Sequence, residues 1–176
     1  MIKLWQLGGL KELNAKKNEN FEFWSPDRKF GVIISPLILK NLRDKCKLSN
    51  NIETGGILIG NYCLNYSCAK IISITDAPRD SIKSHNLFVR GIENLQKIIN
   101  SLWADGIAYY IGEWHYHPSK FIEISSGDIK QMKKISRSKK YNCPEPICII
   151  LGKTVENILN IACYVFPKNK EPVELK

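Results

Sequence analysis

No stretch of this sequence approaches the roughly 18 consecutive apolar residues that a membrane-spanning helix requires. There is no internal repeat and no low-complexity linker, so one domain is expected to account for the 176 residues. The opening Met1 to Leu7 is briefly apolar. It then yields to Lys11, Lys16 and Lys17 without a small-residue cleavage site, so it does not read as a secretory signal. A cytoplasmic protein is expected, in which cysteines stay reduced. Acidic residues are outnumbered, 17 against 26 basic ones, for a formal charge of +9. Histidine is scarce: the chain has three.

What is present is a globular composition, 44% hydrophobic with a mean hydropathy of −0.22. The six cysteines lie at 46, 63, 68, 143, 148 and 163. Cys63-x4-Cys68 and Cys143-x4-Cys148 invite a four-thiolate zinc site, but the spacing is looser than the usual C-x2-C knuckle. Cys148 and Cys163 sit in apolar runs where a free thiol behaves as a small hydrophobe, so buried free thiols are expected. Much of the positive charge is concentrated in Lys130, Lys133, Lys134, Arg137, Lys139 and Lys140. Such a run can bind nucleic acid or an acidic protein face; the simpler reading is a solvated helix face.

The patterning predicts an α/β (α+β) domain: a central mixed sheet flanked by about three helices. Residues 1–23 are polar after the first turn and are expected to be mobile. Strands are expected at 29–34, 54–62, 68–75, 87–90, 107–114, 147–151 and 158–166. Ser35-Pro36 caps and opens a helix to about Cys46, with Leu37, Leu39 and Leu42 on its apolar side. A polar loop fills 76–86. A second helix runs from Ile92 to Trp103 and stops at Asp105-Gly106; a third runs from Ser125 to about Ser138. The domain limits read as 1–27 for an N-terminal extension, 28–166 for the domain and 167–176 for a charged, frayed tail.

Two of the three histidines fall in His115-Tyr116-His117-Pro118, and Ser125 and Asp128 follow. In an extended segment, side chains two residues apart share a side, so both imidazoles can point together. Asp128 can join them from the start of the third helix. Two His and one carboxylate, with a fourth position open, are what a catalytic zinc needs. Hydrolysis also requires a proton acceptor and a donor for the developing oxyanion. Glu53, Glu113 and Glu123 are candidate bases, and spacing alone does not choose among them. Ser125 can donate to an oxyanion, yet S-x-x-D is also a helix cap, and the two roles are compatible. His85, in the polar loop, reads as a surface residue.

The segments Glu53-Thr54-Gly55-Gly56-Ile57-Leu58-Ile59-Gly60, Gly112-Glu113-Trp114-His115-Tyr116-His117-Pro118 and Ser125-Ser126-Gly127-Asp128 together resemble a JAMM/MPN+ metalloprotease of the prokaryotic JAB branch. The resemblance covers about residues 28–166. It implies an MPN/JAB-like fold, with Zn2+ held by His115, His117 and Asp128. It makes Glu53 the general acid/base and Ser125 the oxyanion serine. Within the branch, the W-H-x-H-P context, the size and Phe88-x-Arg90 are similar to the deconjugating proteases of bacterial anti-phage (CBASS) operons. That implies a zinc isopeptidase acting after the C-terminus of a ubiquitin-like or cGAS-like nucleotidyltransferase protein joined to a target. An activating-enzyme-like operon partner is also implied. The alternatives are another JAB amidohydrolase, such as a sulfur-carrier processor or cell-wall peptidase, or a JAB-fold nucleic-acid-associated protein using its basic face.

Overall fold

The computed structural model describes residues 19–63, 65–106, 108–119, 122–153 and 159–176. Along the chain the elements are β1 (Phe21–Trp24), β2 (Gly31–Ile34), α1 (Pro36–Leu48), β3 (Thr54–Tyr62), β4 (Cys68–Ile74), β5 (Ile82–Lys83) and β6 (Phe88–Val89). They continue with α2 (Leu95–Asp105), β7 (Tyr109–Tyr116), α3 (Ser126–Arg137), β8 (Ile147–Leu151), β9 (Ile161–Val165) and β10 (Val173–Leu175). Eight strands form one mixed sheet in the order β1-β2-β4-β3-β7-β8-β9-β10, while β5 and β6 pair apart from it. The pairs β2–β4 and β7–β8 are parallel and the rest antiparallel. The expected α+β architecture with a central mixed sheet and three helices is the one observed. No helix of the described residues is long and apolar enough to cross a membrane.

Strand alternation divides the core. Leu58, Ile147, Ile149 and Leu151 pack on one face with Ile38, Leu39 and Leu42 of α1. Ile57, Ile59, Cys148 and Ile150 pack on the other with Leu95 and Ile99 of α2 and Met132 and Ile135 of α3. Local chemistry sets several helix limits. Ser35 caps α1, with its hydroxyl accepting from the Ile38 N–H at 3.3 Å, and Pro36 follows at the first helical position. Gly106 closes α2 in the left-handed region, φ 62°.

Several expectations are corrected. The sheet claims both ends of the described chain. β1 begins inside the segment expected to be mobile, and β10 lies inside the tail expected to fray. Reciprocal backbone bonds between Trp24 and Lys176, 2.8 and 2.9 Å, join these outer strands. The pairing satisfies edge groups that would otherwise be open, and burial of Phe23 and Leu175 anchors it. The expectation for residues 1–18 lies outside the described residues. Leu37 is 66% exposed, and Ile38 takes its place in the core. Ile92 is 72% exposed because α2 starts three residues later, at Leu95. The loop at 76–86 contains β5. Cys63 and Cys68 are not free: they flank the β3–β4 turn, where Cys63 N–H donates to the Cys68 carbonyl at 2.8 Å, and they form a disulfide. That pairing leaves no four-thiolate zinc site. The other four cysteines are buried free thiols, as expected.

Candidate metal centre and its groove

The central β3–β7 pair builds the site. Thr54 is opposite Tyr116 and Gly55 opposite His115. Continuing that register by one residue sets Glu53 across from His117. The register shifts near Gly112, where Leu58 pairs with Gly112 and Ile59 with Tyr110. This bulge reverses the alternation of β7. Before it, Tyr110 faces the α2–α3 side; after it, Trp114 and Tyr116 face the α1 side. Glu113 and His115 are thereby turned toward α3. Gly112 has φ 151°, and a Cβ there would overlap the Ile147 carbonyl, so the bulge depends on glycine.

α3 delivers the third group. Ser125 is its N-cap, and the capping box is complete: Asp128 N–H donates to Ser125 Oγ at 3.1 Å, and Ser125 N–H donates to Asp128 Oδ2 at 3.0 Å. The Ser125 hydroxyl also donates to Asp128 Oδ2 at 2.6 Å. Asp128 Oδ1 accepts from His115 Nδ1 at 2.6 Å, and Asp128 Oδ2 lies 3.6 Å from His117 Nε2. One ligating atom from each of His115, His117 and Asp128 lies within 4.8 Å of the others. The histidine–aspartate cluster expected from the H-x-H-P spacing is therefore assembled.

Electrostatics follow from burial and from these contacts. Burial opposes charge on His115, but the Asp128 and Glu113 carboxylates prevail and push its pKa up to about 9. Burial likewise opposes charge on Asp128, and the His115 and Ser125 hydrogen bonds overcome it, holding its pKa at about 2. His117 is shifted down, chiefly by burial. Glu53 is shifted up, first by burial and then by the Asp128 charge.

A cleft of about 870 Å³ opens over these groups and is lined by Glu53, His117, Ser125 and Asp128 together with Phe88 and Val89 of β6. The exposed Leu87, Val89 and Ile92 add an apolar wall. Lys130 and Lys134 of α3 also line the cleft. Of the three glutamates, Glu53 and Glu123 reach the cleft, whereas Glu113 is fully buried beside His115. His85 is exposed, as expected, with Nδ1 2.8 Å from the Asn51 carbonyl oxygen.

Spacing did not reveal the group behind the histidine. Arg90 reaches Glu113 at 2.7 Å in a pair that is 3% and 0% exposed. Tyr110, Gln131 and Tyr141 complete the network. The Phe88 ring stands edge-on to the His115 ring, centroids 5.2 Å apart. The only local signal was Glu113 two residues before His115 on a strand.

No family model matches the chain. A curated protein of Enterobacter hormaechei, named CD-NTase/cGAS isopeptidase, is 34% identical over 154 residues, spanning 88% of this chain and 85% of its own. A probable metalloprotease of Sinorhizobium fredii is 30% identical over 113 residues, 62% of this chain and 68% of its own. Among solved structures, a Desulfitobacterium hafniense protein determined in solution superimposes with a TM-score of 0.59 at 12% identity. That match covers 80% of this chain and 87% of the other, and shows the fold alone. On the identity and coverage of the Enterobacter relative, the chain belongs to the family of the CD-NTase/cGAS isopeptidases, the JAMM-like protease group that its motifs resemble.

Proposed function

We propose that this protein is a zinc-dependent isopeptidase. Its substrate is a cGAS-like nucleotidyltransferase, or a ubiquitin-like protein, joined through its C-terminus to a target, and the bond cleaved is the one after that C-terminus. The observation that supports this most is the His115–His117–Asp128 cluster at the floor of a cleft that also holds Glu53 and Ser125. The donor set suits the metal. Two bonds of about 2.1 Å at a tetrahedral angle separate ligand atoms by about 3.4 Å. One nitrogen from each histidine and one oxygen of Asp128 lie within 4.8 Å of one another, close enough to share a single ion. When bound, zinc supplies Lewis acidity and makes hydroxide available near neutral pH.

The protein's own residues do the rest. Glu53, its pKa shifted up by burial and by Asp128, takes a proton from the attacking water and returns it to the leaving amine nitrogen. The C–N bond breaks, and water is divided between the new carboxyl group and the amine. Ser125 turns its hydroxyl from Asp128 to the developing oxyanion. In this reading an extended tail lies along the cleft, and β6 at its wall offers a strand for main-chain pairing. The proposed setting is the cytoplasm, in an anti-phage operon with an activating-enzyme-like partner.

The deciding experiment uses a nucleotidyltransferase C-terminal tail fused through an amide bond to a reporter protein. The zinc-loaded enzyme is expected to release the reporter by one cut directly after the tail. An intact fusion after incubation with folded, zinc-loaded enzyme would overturn the substrate assignment.

A further inference from the structure

Glu113 is the most deeply buried ionised group among the described residues that the proposed chemistry does not use. Its two oxygens have different surroundings. Oε1 accepts from Arg90 Nε at 2.7 Å and from the Tyr110 hydroxyl at 3.2 Å. Oε2 accepts from Gln131 Nε2 at 2.7 Å and lies 3.3 Å from His115 Nε2. Arg90 is itself held, donating from Nη1 to the Gly91 carbonyl and from Nη2 to the Tyr141 hydroxyl, both at 2.8 Å. The carboxylate is thus clamped by three donors, with one oxygen aimed at the imidazole.

A carboxylate needed only to neutralise Arg90 has no need of that orientation. A metal-ligating imidazole, however, uses one nitrogen as ligand and carries its proton on the other. A buried N–H left without an acceptor is costly. The Nδ1 edge of His115 faces Asp128; the Nε2 edge faces Glu113. Building on the metal-site reading above, we infer that Glu113 is a positioning residue of the metal centre. Its Oε2 accepts the Nε2 proton of His115, fixing the tautomer that leaves Nδ1 available as ligand. Arg90, Tyr110 and Gln131 hold the carboxylate in that pose. Because Arg90 directly follows β6, the same ion pair also ties the cleft wall to the ligand histidine.

The substitution Glu113→Gln tests this. Arg90 requires an oxygen at the Oε1 position, so the new amide NH2 falls where Oε2 was and meets His115 and Gln131 donor to donor. Zinc affinity, measured by competition with a chelator, is expected to fall about 10- to 100-fold. The single variant leaves Arg90 buried without its counter-charge and can fail to fold. Glu113→Leu combined with Arg90→Met removes both charges together with the acceptor for His115, and its zinc affinity is expected to fall over the same range. Nitrogen-labelled histidine in the zinc-loaded wild type gives a reading independent of any variant: the His115 ring proton is expected on Nε2, slow to exchange. Three outcomes overturn the inference. A folded double variant with wild-type zinc affinity, or a His115 proton found on Nδ1, removes Glu113 from this role and leaves the metal site standing. A wild-type protein that binds no zinc removes the metal-site reading and this inference with it.

Discussion

Gly55 and His115 are partners across β3 and β7, and the imidazole edge borders the space that a Gly55 side chain would need, which the Trp114 carbonyl and the Phe88 ring fill. A Cβ on Gly55 would lie 3.0 Å from His115 Cδ2 and overlap the Trp114 carbonyl. Backbone cannot yield as a flexible side chain can. Gly55→Ala is therefore expected to destabilise the protein by about 1–3 kcal/mol, the range for overpacking, and to weaken zinc binding. Thermal unfolding and metal content of the purified variant read both effects; wild-type values for each would refute the packing argument.

The ligand and proton-transfer roles separate by variant. His115→Ala and Asp128→Ala are expected to lose metal and activity together. Glu53→Ala is expected to retain the metal and lose turnover, because its carboxylate is assigned to moving a proton. Metal analysis beside rate measurement distinguishes the cases. An active Glu53→Ala enzyme would shift the acid/base role to Glu123, the other glutamate that reaches the cleft.

Ser125 serves as cap and as proposed oxyanion donor, and the two roles differ in what is lost. Ser125→Ala is expected to lower kcat by about 10²–10³ and to cost about 1 kcal/mol of stability. Ser125→Gly retains most of the capping preference but has no hydroxyl. If its turnover, measured on folded and zinc-loaded protein, stays near wild type, Ser125 is a cap and nothing more.

Zinc binding should release protons. In the metal-free protein His115 holds its second proton below a pKa of about 9, while Asp128, at about 2, is already ionised. A ligand imidazole must surrender that proton, so binding competes with protonation. The expected release at pH 7 is about one proton per zinc from His115. Affinity should rise about tenfold per pH unit up to about pH 9 and flatten above it. Calorimetry in buffers of different ionisation enthalpy measures the release; a pH-independent affinity between 6 and 8 would contradict it.

Local order alone determined much of this protein. The 54–62 strand, the Ser35-Pro36 helix start, the Gly106 stop and the Ser125 cap all depend on residues within a turn or two, where steric and hydrogen-bonding preferences act without partners. The His115–His117–Asp128 cluster was legible for the same reason: two positions share a strand side, and the third begins the next helix. The tertiary structure decided what depends on distant chain segments. The Gly112 bulge chooses the face on which His115 and Glu113 lie, and the Ile147 backbone of the neighbouring strand closes on that glycine. Arg90 and Glu113 meet across 23 residues, so nothing in either neighbourhood announces the pair. β1 (Phe-Glu-Phe-Trp) and β10 (Val-Glu-Leu), short apolar stretches within polar ends, become strands because each finds an edge to complete and the two edges meet at Trp24 and Lys176. Hydrogen bonds between remote edges, with burial of Phe23 and Leu175, repay the ordering of these short end segments.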